Sequence, residues 1–102
     1  MEWYHYLAVF FSAVFFSNAV PHLVNGVSGD KFPTPFAKPR GRGLSSPLTN
    51  VLWGLLNILI GYILFQISRM NGDNNISLVI FFVGFGAKSV GSAINFQKKD
   101  KE

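Results

Sequence analysis

Cysteine is absent from these 102 residues, which excludes disulfides, thiolate metal sites and cysteine nucleophiles. Charge is scarce too, and its gaps are ordered. Between His5 and Gly29 there is no Asp, Glu, Lys or Arg, Gly43 to Ser68 is equally free of them, and from Asn74 to Gln97 only Lys88 interrupts. A helix crosses a hydrocarbon core of about 30 Å with about 20 mostly apolar residues, so each gap is long enough for one crossing. No carboxylate falls in any of them, which argues against proton or cation coupling inside a membrane. The first segment also lacks the basic flank of a cleaved signal peptide, although Ser17-Asn18-Ala19 offers small residues, so it is expected to remain as a helix.

What is present predicts a single integral membrane domain over residues 1–102: an all-α, antiparallel up-down-up bundle of three transmembrane helices. Helix one is expected over about 3–23, with Trp3, Tyr4 and Tyr6 as an interfacial aromatic belt and a kink or end near Pro21. Residues 24–46 form a polar loop whose Gly and Pro density forbids a long helix or central strand. Phe32 and Phe36 suit either the headgroup layer or packing back on the bundle. Ser46 as N-cap and Pro47 at the first helical position open helix two, over about 47–68. Asn71-Gly72-Asp73 makes a tight turn. Helix three covers about 76–96, and 97–102 is a charged tail.

The net charge is +4, sorted by loop rather than arranged as a nucleic-acid stripe. Lys31, Lys38, Arg40 and Arg42 in the first loop and Lys98, Lys99 and Lys101 in the tail oppose Arg69 alone in the short loop. That bias predicts the N-terminus outside and the first loop and C-terminus in the cytoplasm.

Polar residues gather on stripes. In helix two, Asn50, Gly54, Asn57 and Gly61 share one face beside Trp53, with Leu52, Leu55, Leu59 and Ile63 opposite, towards lipid. In helix three, Gly84, Lys88, Gly91 and Asn95 repeat the spacing, flanked by Ala87 and Ser92, with Phe82, Phe85 and Phe96 behind. Small residues allow close approach of membrane helices, so these stripes are expected to meet each other or another subunit. Under the predicted topology Asn50, Asn57, Lys88, Ser92 and Asn95 lie in the cytoplasmic half, level with Asn18 and His22. A polar pocket open to the cytoplasm gives this pattern. So does ordinary interhelical hydrogen bonding.

Lys88 is the one formal charge inside a span, at a cost of roughly 2.5–3.5 kcal/mol near the bilayer centre. With no acidic partner in the spans, it either snorkels or faces amides, carbonyls, water or a bound anion. A second candidate anion or lipid-headgroup contact is Lys38, Arg40, Arg42, Ser45 and Ser46, where basic side chains converge on a helix N-terminus. The spacing is not that of a P-loop, and non-specific attraction to anionic headgroups explains the same residues. His5 and His22 are about 25 Å apart along one helix and cannot share a metal. No nucleophile, base and orienting group can be assembled, so no catalytic residue and no cofactor is assigned.

The stretch from Pro21-His22 to Gly26, then Phe32-Pro33-Thr34-Pro35-Phe36, then Gly43-Leu44-Ser45-Ser46-Pro47-Leu48-Thr49-Asn50-Val51-Leu52-Trp53-Gly54 with Asn57 and Gly61, resembles a family of uncharacterised small multi-pass bacterial membrane proteins. The resemblance spans most of the chain and implies the bacterial cytoplasmic membrane, but no activity. Two function classes fit the sequence. One is a non-enzymatic membrane protein that self-associates or joins a membrane complex, with lipid or anion binding on the cytoplasmic side. The other is an oligomeric small transporter or channel for an anionic or polar solute.

Overall fold

The computed structural model describes residues 2–39, 43–69, 74–97 and 99. Three helices account for most of them: α1 Trp3–Val27, α2 Pro47–Ser68 and α3 Asn75–Phe96. Each is long and apolar enough to cross a membrane. The body is 45 Å long, comparable with a bilayer including its headgroups, about 40–45 Å.

The caps follow from local chemistry. The Ser46 hydroxyl accepts from Thr49 N at 3.1 Å, and Pro47 takes the first helical position, where the missing N–H costs nothing. Asn74 Oδ1 accepts from Ser77 N at 3.0 Å to start α3. The turn expected at 71–73 lies outside the described residues. α1 departs from expectation by running through Pro21 to Val27. Proline removes one backbone donor and so leaves the Ser17 carbonyl without its usual partner; separately, the Asn25 side chain donates to the Pro21 carbonyl at 2.7 Å. The helix ends at Val27 with Ser28 as its cap, and Gly29 follows with a left-handed φ of 79° that glycine readily adopts.

The helices pack as an up-down-up bundle with α1 in the middle. Gly26, Gly54 and Gly61 set its antiparallel contact with α2. A Cβ on Gly26 would fall 2.6 Å from Val51 Cγ2, one on Gly54 2.8 Å from Leu23 Cγ, and one on Gly61 3.2 Å from the Phe16 ring. The Ser12 hydroxyl crosses the same seam to the Gly61 carbonyl at 2.7 Å. The contact with α3 is parallel: Gly84 lies against the Phe10 carbonyl and Ala13, and Ser17 donates to Ser89 Oγ at 2.8 Å, since Ser89 gives its own proton to the Phe85 carbonyl. Val9, Ser12 and Ala13 are fully enclosed.

Two expectations are corrected here. The stripes of α2 and α3 do not meet each other: both helices pack on α1 and make no backbone approach to one another. On α3 the inward row is Gly84, Lys88, Ser92 and Phe96. Gly91 is exposed with nothing within 4 Å of its would-be Cβ, Asn95 is exposed, and Phe96 turns inward, its ring 4.7 Å from that of Phe32. The reason is the row used for packing. α1 offers Val9, Ala13 and Ser17 at intervals of four, and α3 answers with its own interval of four. The expected face of α2 does point outward, with Leu52, Leu55, Leu59 and Ile63 about half exposed.

The first loop folds back over one end of the bundle. Phe32 and Ser45 pair as an isolated antiparallel bridge, and Thr34 Oγ1 and Ser45 Oγ lie 2.6 Å apart. Phe32, Thr34 and Ala37 are buried, whereas Phe36 is exposed with its ring edge-on to Trp53 at 5.3 Å.

Candidate functional site: a cleft between α2 and α3

Because α2 and α3 part on either side of α1, a cavity of about 420 Å³ opens between them, within the usual range for small-molecule sites, about 300–1,000 Å³. α1 forms its floor with Val14, Phe15, Asn18 and His22. α2 contributes Trp53 and Asn57, and α3 contributes Lys88, Asn95 and Phe96. Pro33, Thr34 and Pro35 of the folded loop close the end. Loop residues thus line the cavity together with the helices, and α2 and α3 make no backbone contact with each other across it.

Five of the six pocket residues expected from sequence line this one cavity: Asn18, His22, Asn57, Lys88 and Asn95. Asn50 does not. It is completely buried behind His22, with Oδ1 2.8 Å from His22 Nδ1. Its amide nitrogen donates to the carbonyls of Phe32 at 2.9 Å, Ser45 at 3.2 Å and Ser46 at 3.0 Å. Asn50 is thus a clasp that fastens the loop to α1 and α2, placed there by capping and loop geometry that residue spacing does not reveal.

The His22 ring is held edge-on by Phe32, Trp53 and Phe96, with centroids 5.4, 6.4 and 6.3 Å away. Because the Asn50 nitrogen faces three carbonyls, Asn50 Oδ1 faces the ring, so Nδ1 carries the proton and donates. In the neutral ring Nε2 is then an acceptor, with no partner among the described residues. The second asparagine of α2 repeats the arrangement. Asn57 Nδ2 donates to the Trp53 carbonyl at 2.8 Å, and Asn57 Oδ1 accepts from Asn18 Nδ2 at 3.0 Å.

Lys88 faces the cavity from the opposite wall and makes no hydrogen bond or ion pair with a described residue. The proximity of amides expected for it takes the form of a shared cavity, not of direct bonds. Thr34, Pro33, Pro35 and Phe96 are lining residues that the sequence did not single out. Only the loop's folding back brings the first three in.

Of the second candidate cluster, Lys38, Ser45 and Ser46 lie among the described residues. Lys38 is exposed, Ser45 pairs with Phe32 and Thr34, and Ser46 Oγ is engaged with Thr49. Arg40 and Arg42 lie outside the described residues. Among the described residues no three metal-binding side chains converge. A second groove of about 340 Å³ runs along α1 and α3 past Ser92, whose hydroxyl is buried without a protein partner among the described residues.

Comparison with protein-family models, with curated proteins and with solved structures finds no match in any of the three, so every residue role rests on the geometry above.

Proposed function

We propose that this is a small, non-enzymatic integral membrane protein that holds an anionic amphiphile, a membrane lipid, in the cleft between α2 and α3. The observation that carries the reading is Lys88. An ammonium inside a span is costly to leave without compensation. Here it faces a cavity whose lining contains no acidic side chain and which lies between two helices that make no backbone contact with each other, α2 and α3. A lipid phosphate entering laterally would supply the missing charge, while Val14, Phe15, Trp53 and Phe96 would line its apolar part.

In the orientation set by the basic residues, the loop-capped end of the cleft is cytoplasmic and the N-terminus is outside. A reporter at the C-terminus should be cytoplasmic and a tag ahead of Trp3 accessible from outside. Both tags on one side would remove this orientation. The resemblance to small bacterial membrane proteins supports the cytoplasmic membrane of a bacterium as its place.

A specific observation favours a second reading. α3 leaves Ala87 and Gly91, four residues apart on one face, exposed, with nothing within 4 Å of a Cβ on Gly91, a surface suited to close approach by a second copy or a membrane partner. An oligomer could enclose a path for an anionic or polar solute past Lys88. A strictly monomeric protein in lipid nanodiscs would remove that reading and leave the first.

Native mass spectrometry of the detergent-released protein tests the first reading. Anionic phospholipid should be retained over phosphatidylcholine by the parent chain and lost in Lys88→Met. Equal retention of both lipid classes by the parent chain would overturn the reading.

A further inference from the structure

The cleft is asymmetric in its hydrogen-bonding chemistry, and the asymmetry has a structural origin. On α2, two asparagines on one face, about two turns apart, are each pinned at the amide nitrogen by backbone carbonyls: Asn50 by Phe32, Ser45 and Ser46, and Asn57 by Trp53. Each therefore turns its oxygen towards α1. Each oxygen makes a donor of the α1 side chain it meets, His22 through Nδ1 and Asn18 through Nδ2. The remaining polar atom of both α1 residues is an acceptor, His22 Nε2 and Asn18 Oδ1, and neither has a partner among the described residues. Both residues line the cavity. α1 thus presents acceptors, while α3 presents the Lys88 cation across from them.

A plain anion suits Lys88 but sets its own lone pairs against those of His22 and Asn18. An ammonium-bearing head suits the acceptors but meets Lys88 as a like charge. A group that satisfies both walls carries negative charge and neutral hydrogen-bond donors together. Resting on the reading of the cleft as a lipid site, we propose that the headgroup bound there is a polyol phosphate: an anionic phosphodiester placed against Lys88, with hydroxyls donating to His22 Nε2 and Asn18 Oδ1. Phosphatidylglycerol is the simplest lipid of that chemistry. A soluble glycerol phosphodiester shares it.

The test compares three lipids in competition for the purified full chain in nanodiscs: phosphatidylglycerol; phosphatidylmethanol, which has the same charge and no hydroxyl on its head; and phosphatidylcholine. Phosphatidylglycerol should exceed phosphatidylmethanol roughly fivefold or more, the effect of at least one net hydrogen bond, and phosphatidylmethanol should exceed phosphatidylcholine. Asn18→Leu should reduce phosphatidylglycerol towards the phosphatidylmethanol level and leave the latter unchanged. His22→Phe should act in the same direction. Equal binding of the two anionic lipids, both above phosphatidylcholine, overturns the polyol assignment and leaves the anionic lipid site standing. No preference among the three overturns both. Added glycerophosphoglycerol, the head without chains, separates the sources. Failure to displace phosphatidylglycerol supports the lipid, and displacement at comparable concentration supports a soluble polyol phosphate of the same chemistry.

Discussion

Asn50 Oδ1 lies 2.8 Å from His22 Nδ1, and this contact joins the first loop to the cleft. The same side chain reaches three backbone carbonyls on its other side. One buried amide therefore fixes the loop over the end of the bundle and fixes which nitrogen of His22 faces the cavity. Fold and site are coupled at this point.

Loosening the clasp should loosen the loop. In Asn50→Ala the His22 bond and the three carbonyl contacts disappear together. A single lost bond of about 1 kcal/mol raises an open fraction roughly fivefold, so opening should increase about tenfold or more. Since the chain has no cysteine, Ala37→Cys gives a single reporter at a buried loop position, 8% exposed. Its labelling by a maleimide should accelerate by that factor when Asn50 is also replaced. Unchanged labelling would mean that the loop is held by something else.

Glycines of α3 should separate sharply. Gly84→Leu inserts a side chain where a Cβ already falls 2.8 Å from the Phe10 carbonyl, and should destabilise the α1–α3 contact by about 1–3 kcal/mol, the usual range for overpacking. Gly91→Leu enters open space and should leave the monomer's stability unchanged. Unfolding in mixed micelles measures both, and equal loss in the two variants would place the wrong face of α3 against α1.

Two buried serines should also differ. Ser12→Ala deletes an interhelical bond to the Gly61 carbonyl and should cost about 0.6 kcal/mol, the average for such bonds in membranes. Ser92 has no protein partner among the described residues, so Ser92→Ala should be neutral or slightly stabilising. A larger loss for Ser92→Ala than for Ser12→Ala in the same unfolding assay would contradict this assignment.

Much of this arrangement was legible in the sequence. The charge gaps give the three helices and their order, because desolvating a charge dominates any local propensity. Of the polar residues read at one depth, Asn18, His22, Asn57, Lys88 and Asn95 share a cavity, whereas Asn50 is buried in the loop clasp and Ser92 faces the second groove, so depth narrows the candidates without deciding which helix face each side chain takes. Two features were not legible. Residue spacing distinguishes one face of α3 from its opposite, but it does not decide between neighbouring rows. The row through Ser92 and Phe96 therefore replaced the one through Gly91 and Asn95 once α1 supplied its own interval of four. Nor does a Gly/Pro-rich loop announce that Phe32 and Ser45 will pair, which is what makes Asn50 a clasp and keeps it out of the cavity lining.

The central claim is that Lys88 draws an anionic lipid into the cleft, and Trp53 on the cleft wall reports on it directly. The only other tryptophan is Trp3, 70% exposed at the far end of α1, and Trp3→Phe leaves a single fluorophore. Brominated-chain phosphatidylglycerol should then quench Trp53 more strongly than brominated-chain phosphatidylcholine at equal mole fraction, and Lys88→Met should remove the difference. Equal quenching by the two lipids in the Trp3→Phe chain, with Lys88 in place, would contradict the claim.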